Sequence, residues 1–184
     1  MINKSWRQKS IEFSKTMQSP KLDFYVTVPG RVSQLIEDKN GIYKEVISPG
    51  AFQESIIKNG VVPIYLNHIR KLADIDKVEL WEDAIGLRCI AEINDIDLLA
   101  KILCGKIKGC SFSFHSIREE TVDNFPYRIR NIKKLKLNEV SIVDDTMEPV
   151  HHSSSLMSAV IPDKLQVKIY QKKLEYIKAQ DVTV

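Results

Sequence analysis

The sequence predicts a mixed β/α fold, mainly β: a β-barrel or strongly curved sheet with a few helices packed outside it. Three observations lead there. Short runs rich in β-branched and aromatic residues recur along the chain, turn residues separate successive runs, and two segments with helix-capping residues interrupt them. KLDFYVTV, residues 21–28, is the first such run and closes at Pro29-Gly30. RVSQLIE and IYKEVIS flank Asp38-Lys39-Asn40-Gly41 and read as a hairpin. Ser48-Pro49-Gly50 then opens a short helix, AFQESIIKN, with Gly60 at the position after its end. VVPIYLN, residues 61–67, returns to a strand and delivers His68 at or just beyond its end. KVELWED and LRCIAEI form a second hairpin across Ala84-Ile85-Gly86, and Asp95 caps a second helix, DIDLLAKILC, that stops at Gly105. Beyond it lie a strand through Ile117, a polar turn near residues 123–126, and two strands, YRIRNI and LNEVSIV.

Length sets the domain count. With 184 residues the chain suits one well-buried domain with tails. Residues 1–20 are polar, lack periodicity and end at Pro20, which predicts a loosely held arm; the domain spans 21–150. From His151 the composition shifts to the linker-like HHSSSLMS, and KLQVKIYQKKLEYIKAQ follows as a closing strand and helix or a detachable extension over 151–184. Hydrophobic residues make up 43% and charged residues 28%, an ordinary globular mixture, and no apolar run approaches the roughly 20 residues of a membrane helix. The basic start has no apolar core of a secretory signal, so a cytoplasm is the expected compartment. Cys89, Cys104 and Cys110 have no metal-type spacing and read as reduced thiols. A net charge of +3 is too small to call for a specific nucleic-acid partner. Arg128, Arg130, Lys133, Lys134 and Lys136 alternate with apolar residues as on a solvated hairpin face.

Chemistry concentrates in the stretch Gly109 to His115. On a strand, Ser111, Ser113 and His115 share one face, and Cys110, Phe112 and Phe114 share the other. A serine nucleophile needs a base within hydrogen-bond reach. His115 lies about 13 Å from Ser111 along an extended strand, at roughly 3.3 Å per residue. A base from another strand is geometrically easier, and His68 is the natural donor. Glu139, a carboxylate among Leu137, Val140, Ile142 and Val143, is a candidate to orient the imidazole. Each of these residues, taken singly, also has an ordinary structural reading. Cys110 as nucleophile would have to leave the phenylalanine face, and His151-His152 lacks a third metal ligand, so both histidines are expected in a flexible connection.

Order and context add to this. ISPGAFQESI at 47–56, VPIYLNH at 62–68, ELWEDAIGLRCIAEI at 79–93, GKIKGCSFSF at 105–114 and LNEVSIVDDTMEP at 137–149 together resemble the prohead proteases of tailed bacteriophages, over about residues 24–150. That family is similar in fold to herpesvirus assemblin, a β-barrel serine protease surrounded by helices. The resemblance implies Ser111 as nucleophile, His68 as general base and Glu139 as third member, with His115 and His151 as alternatives because assemblin has a histidine there. It further implies a serine endopeptidase that needs no metal or organic cofactor and acts in the host bacterial cytoplasm, inside the immature procapsid. Its expected partners are capsid precursor and scaffold protein, and itself by dimerisation or self-cleavage, with no membrane or specific nucleic acid. Two departures from the family pattern stand out: Ser113 occupies a position where many relatives have glycine, and IRKLADIDKVEL lacks the aspartate-proline and glycine often found after the histidine. A noncatalytic structural or scaffold module of the phage head, using the C-terminal tail for contacts, is the rival reading.

Overall fold

Alternation of apolar and polar residues builds two open sheets around one core in the computed structural model, which describes residues 8–16, 18–39, 41–124, 126–151 and 157–181. The strands are β1 (Gln8–Ser14), β2 (Lys21–Thr27), β3 (Ile36–Asp38), β4 (Gly41–Ile47), β5 (Ile64–Leu66), β6 (Arg70–Ala73), β7 (Val78–Glu82), β8 (Leu87–Glu92), β9 (Ile107–Asn124), β10 (Tyr127–Asp144) and β11 (Met157–Pro162). Three α-helices join them among the described residues: α1 (Ala51–Asn59), α2 (Ile96–Leu103) and α3 (Gln166–Asp181). One sheet runs β1-β11-β2-β8-β7, and the other β3-β4-β10-β5-β6 with β9 paired to β10. Neither sheet closes on itself, so the mainly β expectation is met by curved sheets rather than a sealed barrel.

β10 organises the second sheet. One of its edges pairs antiparallel with β9 over nearly its whole length. The other edge pairs parallel with β4 at residues 128–132 and with β5 at residues 140–142. Irregularities in the β9–β10 register bend the long ribbon at several points, as bulges do. The apolar faces of both sheets meet the helices: Leu22, Phe24 and Val26 of β2 and Leu98 and Leu99 of α2 are buried, and Phe52 of α1 packs edge-on against Phe112 of β9 at 5.0 Å.

Local signals held where they were strong. α2 begins as its cap predicts, with the Asp95 carboxylate accepting from Leu98 N at 2.8 Å, and Gly105 follows it with φ +66. The basic run lies on the β9–β10 hairpin, where Arg130 donates to Glu119 at 2.6 Å and 3.2 Å and Lys134 to Glu54 at 3.0 Å. Other segments differ from expectation. YRIRNI and LNEVSIV are parts of one strand, because β9 supplies a continuous partner along both. Residues 8–14, within the expected loose arm, form β1 because β11 offers a parallel edge. His151 is buried rather than held in a flexible connection, and His152 lies outside the described residues. β11 sits between β1 and β2, while α3 buries Ile169 and sends its Tyr176 hydroxyl to Asp97 of α2. No described helix is long and apolar enough to cross a membrane.

One buried contact joins α1 to the second sheet. Leu137 N of β10 donates to Ser55 Oγ at 2.9 Å, and Ser55 is almost fully enclosed. Ser55→Ala strands that N–H, which costs about 1–3 kcal/mol. Chemical denaturation should show a lower midpoint at unchanged slope; an unaltered midpoint would mean the N–H finds another acceptor.

Candidate active site

His68 sits in the turn between β5 and β6. Leu66, Asn67, His68 and Ile69 form a tight turn closed by Ile69 N donating to Leu66 O at 3.0 Å. Both central residues are left-handed, with φ +52 at Asn67 and +61 at His68. Asparagine tolerates that conformation and glycine is the usual second residue, so a histidine there carries a backbone cost of roughly 1–3 kcal/mol. Three contacts fix the turn on β10. Asn67 N donates to Ile142 O at 2.9 Å, His68 N donates to Ser141 Oγ at 2.8 Å, and His68 Nδ1 contacts a Glu139 carboxylate oxygen. A carboxylate at Nδ1 favours the N–H on that nitrogen, which in a neutral imidazole leaves the lone pair on Nε2.

Ser111 reaches the same face from β9. In the β9–β10 register Ser111 is opposite Ser141, and Ser113 is opposite Glu139. Directly opposed residues share a face, with Cβ atoms about 4.5–5.5 Å apart. The fold thus gathers Ser111, Ser141, His68 and Glu139 from two strands and a turn. Ser111 Oγ makes no hydrogen bond to His68 here; the serine stands one strand spacing from Ser141, which holds the histidine backbone.

The other described histidines, His115 and His151, lie elsewhere. His115 is exposed, and its Nδ1 accepts from Asn138 Nδ2 at 3.0 Å. His151 Nε2 lies 2.8 Å from a Glu45 oxygen, and its ring packs 4.7 Å from that of Phe112. Neither is in contact with His68. An open cleft of about 340 Å³ borders Ser111 and Ser113 and is lined also by Tyr43, Glu45, Arg130, Val150 and His151. His68 and Glu139 do not line it, whereas Ser111 and Ser113, which stand opposite Ser141 and Glu139 across the ribbon, both do.

A family model described as caudovirus prohead serine protease matches residues 5–159. The chain belongs to the caudovirus prohead serine proteases. No curated protein and no solved structure matches it. The match takes in β1 and most of the first sheet as well as the histidine turn and the β9–β10 ribbon, so the prohead protease family signature spans both sheets. Membership makes the chain a hydrolase of the serine protease class.

Sequence reasoning missed two residues beside the histidine of this prohead protease. Ser141 could have been found from period-two alternation, since it follows Glu139 on the same face. Asp144 gave no such signal. Its carboxylate is buried and accepts from Asn67 Nδ2 at 2.8 Å, Thr146 Oγ1 at 2.6 Å and Lys101 Nζ at 2.7 Å. Burial by itself would raise its pKa, but these donors more than reverse that and hold Asp144 well below the ordinary carboxylate range. The cysteines are the opposite case. Burial pushes the Cys89 and Cys110 thiols far up, which suits core packing and leaves little thiolate for nucleophilic attack.

Two outcomes follow for the folded prohead protease. Alkylation of native protein with iodoacetamide should modify partly exposed Cys104, with Cys89 and Cys110 reacting only after unfolding; mass spectrometry of tryptic peptides reads this directly. Rapid native labelling of Cys110 would contradict its burial. Stability should also depend on Asp144 in a defined direction. Because its folded pKa is depressed, its contribution is complete above the unfolded value of about 3.9 and is lost as the pH falls below it. In urea melts, the advantage of wild type over Asp144→Asn should be constant at neutral pH and shrink below about pH 4. A pH-independent difference would show that the charge contributes nothing.

Proposed function

We propose that this prohead protease is a serine endopeptidase that cleaves capsid precursor and scaffold proteins inside the immature phage shell, in the host bacterial cytoplasm. Ser111 is the nucleophile in this reading, His68 the general base, and Glu139 the carboxylate that orients the imidazole. The observation that carries it is the His68–Glu139 pair, set on the face of β10 that Ser111 shares. Few structural roles call for a histidine in a left-handed turn position with its ring against a mostly enclosed carboxylate.

The chemistry follows from the tautomer. With Glu139 accepting the Nδ1 proton, Nε2 takes the proton of Ser111 Oγ as that oxygen attacks the scissile carbonyl. His68 is then an imidazolium stabilised by Glu139. It returns the proton to the leaving amine as the C–N bond breaks, and water releases the acyl group by the same route in reverse order. Backbone N–H groups or an arginine stabilise the oxyanion. Arg130, which lines the cleft, is paired with Glu119 and lies 3.7 Å from Glu45, so its charge is already committed. The Ser111–His68 hydrogen bond forms on substrate binding, when catalytic contacts commonly tighten.

Self-cleavage belongs to the same proposal. A protease needs an extended, unpaired segment, and β1 and β11 are built into the first sheet. Cleavage within residues 1–20 or beyond His151 would therefore fall outside these two strands.

The test is processing of capsid precursor by purified protein and by variants. Ser111→Ala and His68→Gln should each lower kcat by about 10⁴–10⁶-fold, and Glu139→Gln by about 10⁴-fold. A serine-directed phosphonate should label Ser111 in wild type and not in His68→Gln. Undiminished cleavage by Ser111→Ala removes the assignment and favours a noncatalytic module of the phage head.

A further inference from the structure

The turn that carries His68 is held from outside by a chain of polar contacts that the proposed chemistry does not use. Asn67 and Asp144 grip each other twice: Asn67 Nδ2 donates to the Asp144 carboxylate at 2.8 Å, and Asp144 N donates back to Asn67 Oδ1 at 3.0 Å. Thr146 caps the same carboxylate oxygen through its hydroxyl at 2.6 Å and its N–H at 3.0 Å. Behind Asp144 stands Lys101 of α2, 2.7 Å from the second carboxylate oxygen and 3.3 Å from Asp97. On the far side of His68, Arg70 contacts Asp95 and lies 3.5 Å from Asp97. Both flanks of the histidine are thus fastened to acidic groups that engage α2, Asp144 of β10 through Lys101 in its last turn and Asp95 and Asp97 at its start.

The burial of this arrangement matters. The Asp144 side chain is 2% exposed and that of Lys101 is 16% exposed, so the pair is poorly screened. A buried pair of this kind adds little net stability over an apolar pair, and its best-attested use is to fix one arrangement. The arrangement fixed here is the left-handed conformation of Asn67 and His68, which the backbone alone disfavours.

We propose that Asn67 and Asp144, backed by Lys101, are positioning residues that set the His68 ring against Glu139 and keep Nε2 unprotonated toward the serine. The inference deepens the serine-protease reading and rests on it for its kinetic consequence, though not for its effect on the tautomer. An imidazole displaced by about 1 Å costs on the order of 10²-fold in rate. The ring should therefore lose its fixed tautomer, and kcat should fall, when the grip on Asn67 is released.

Asn67→Gly is the informative variant. Glycine accepts positive φ readily, so the turn conformation survives while the side-chain grip is lost. Full-length protein labelled with ¹⁵N-histidine would be studied by long-range proton–nitrogen spectroscopy, with the His68 signals assigned by their loss in His68→Gln. Wild type should show His68 protonated on Nδ1. Asn67→Gly should show averaging between the two tautomers and a roughly 10–100-fold lower kcat on capsid precursor at nearly unchanged KM, with circular dichroism as wild type. Asp144→Asn, which keeps the shape and loses the charge, should shift the tautomer in the same direction, and serves if Asn67→Gly does not fold. An unchanged tautomer in the folded variant overturns the proposal, whether or not the rate falls, and so does a mixed tautomer in wild type. A tautomer shift at unchanged kcat overturns the positioning role. Wild type with a fixed, Asn67-dependent tautomer but no proteolysis would leave the clamp standing and remove the protease reading instead.

Discussion

The pairing of β9 with β10 is the constraint on which the rest of the site depends. At the Ser111 end of this ribbon, the register shifts between Leu137 and Glu139, so that Asn138 is an extra residue on β10. Before the shift Leu137 faces Phe114; after it Glu139 faces Ser113 and Ser141 faces Ser111. Had the earlier register continued, Asn138 and Val140 would stand opposite the two serines instead, because a one-residue slip exchanges every side chain between faces. One inserted residue therefore decides whether the strand offers Ser111 a carboxylate and a hydroxyl or an amide and an isopropyl group. The adjoining Leu137 N–H goes to Ser55 of α1, which ties the irregular stretch to the helix that also packs Phe52 on Phe112.

Around that ribbon the molecule divides its tasks. Both sheets and α2 supply enclosed apolar surface, and the second sheet in addition collects polar groups on its β5–β10–β9 face. β5 is only three residues long, yet its parallel pairing with Val140 to Ile142 sets where the following turn begins. The Asn67 amide and carboxamide, the His68 amide and the His68 ring then each find an acceptor on β10. A turn that is unfavourable in isolation is held by the hydrogen bonds these half-buried groups make together.

Much of this was legible in the residues themselves. α1 and α2 were bounded by their glycines and by Asp95, and the β7–β8 hairpin by Ala84-Ile85-Gly86, because caps and tight turns are local chemistry that few tertiary contacts override. β1 and β11 were not legible. Their strand character comes from pairing with each other across more than 140 residues of chain, and polar residues such as Gln8 and Ser158 carry little propensity of their own. His151 was misjudged for a similar reason. A histidine in a serine-rich segment reads as exposed until Glu45 and Phe112, each distant in sequence, close around it.

By itself the sequence determined the list of candidate groups and the face that each serine occupies within β9, since a period of two is a property of any strand. It also excluded His115 as a partner of Ser111, because extended chain length along one strand cannot be shortened. Tertiary structure alone decided what stands opposite that face. The bulge at Asn138, the short parallel register of β5 and the paired left-handed residues Asn67 and His68 each depend on contacts between segments far apart in the chain. Such contacts leave no local periodicity to read: Glu139 could be named as a candidate from the sequence, but the contact that sets it against the His68 ring appears only once the strands are paired.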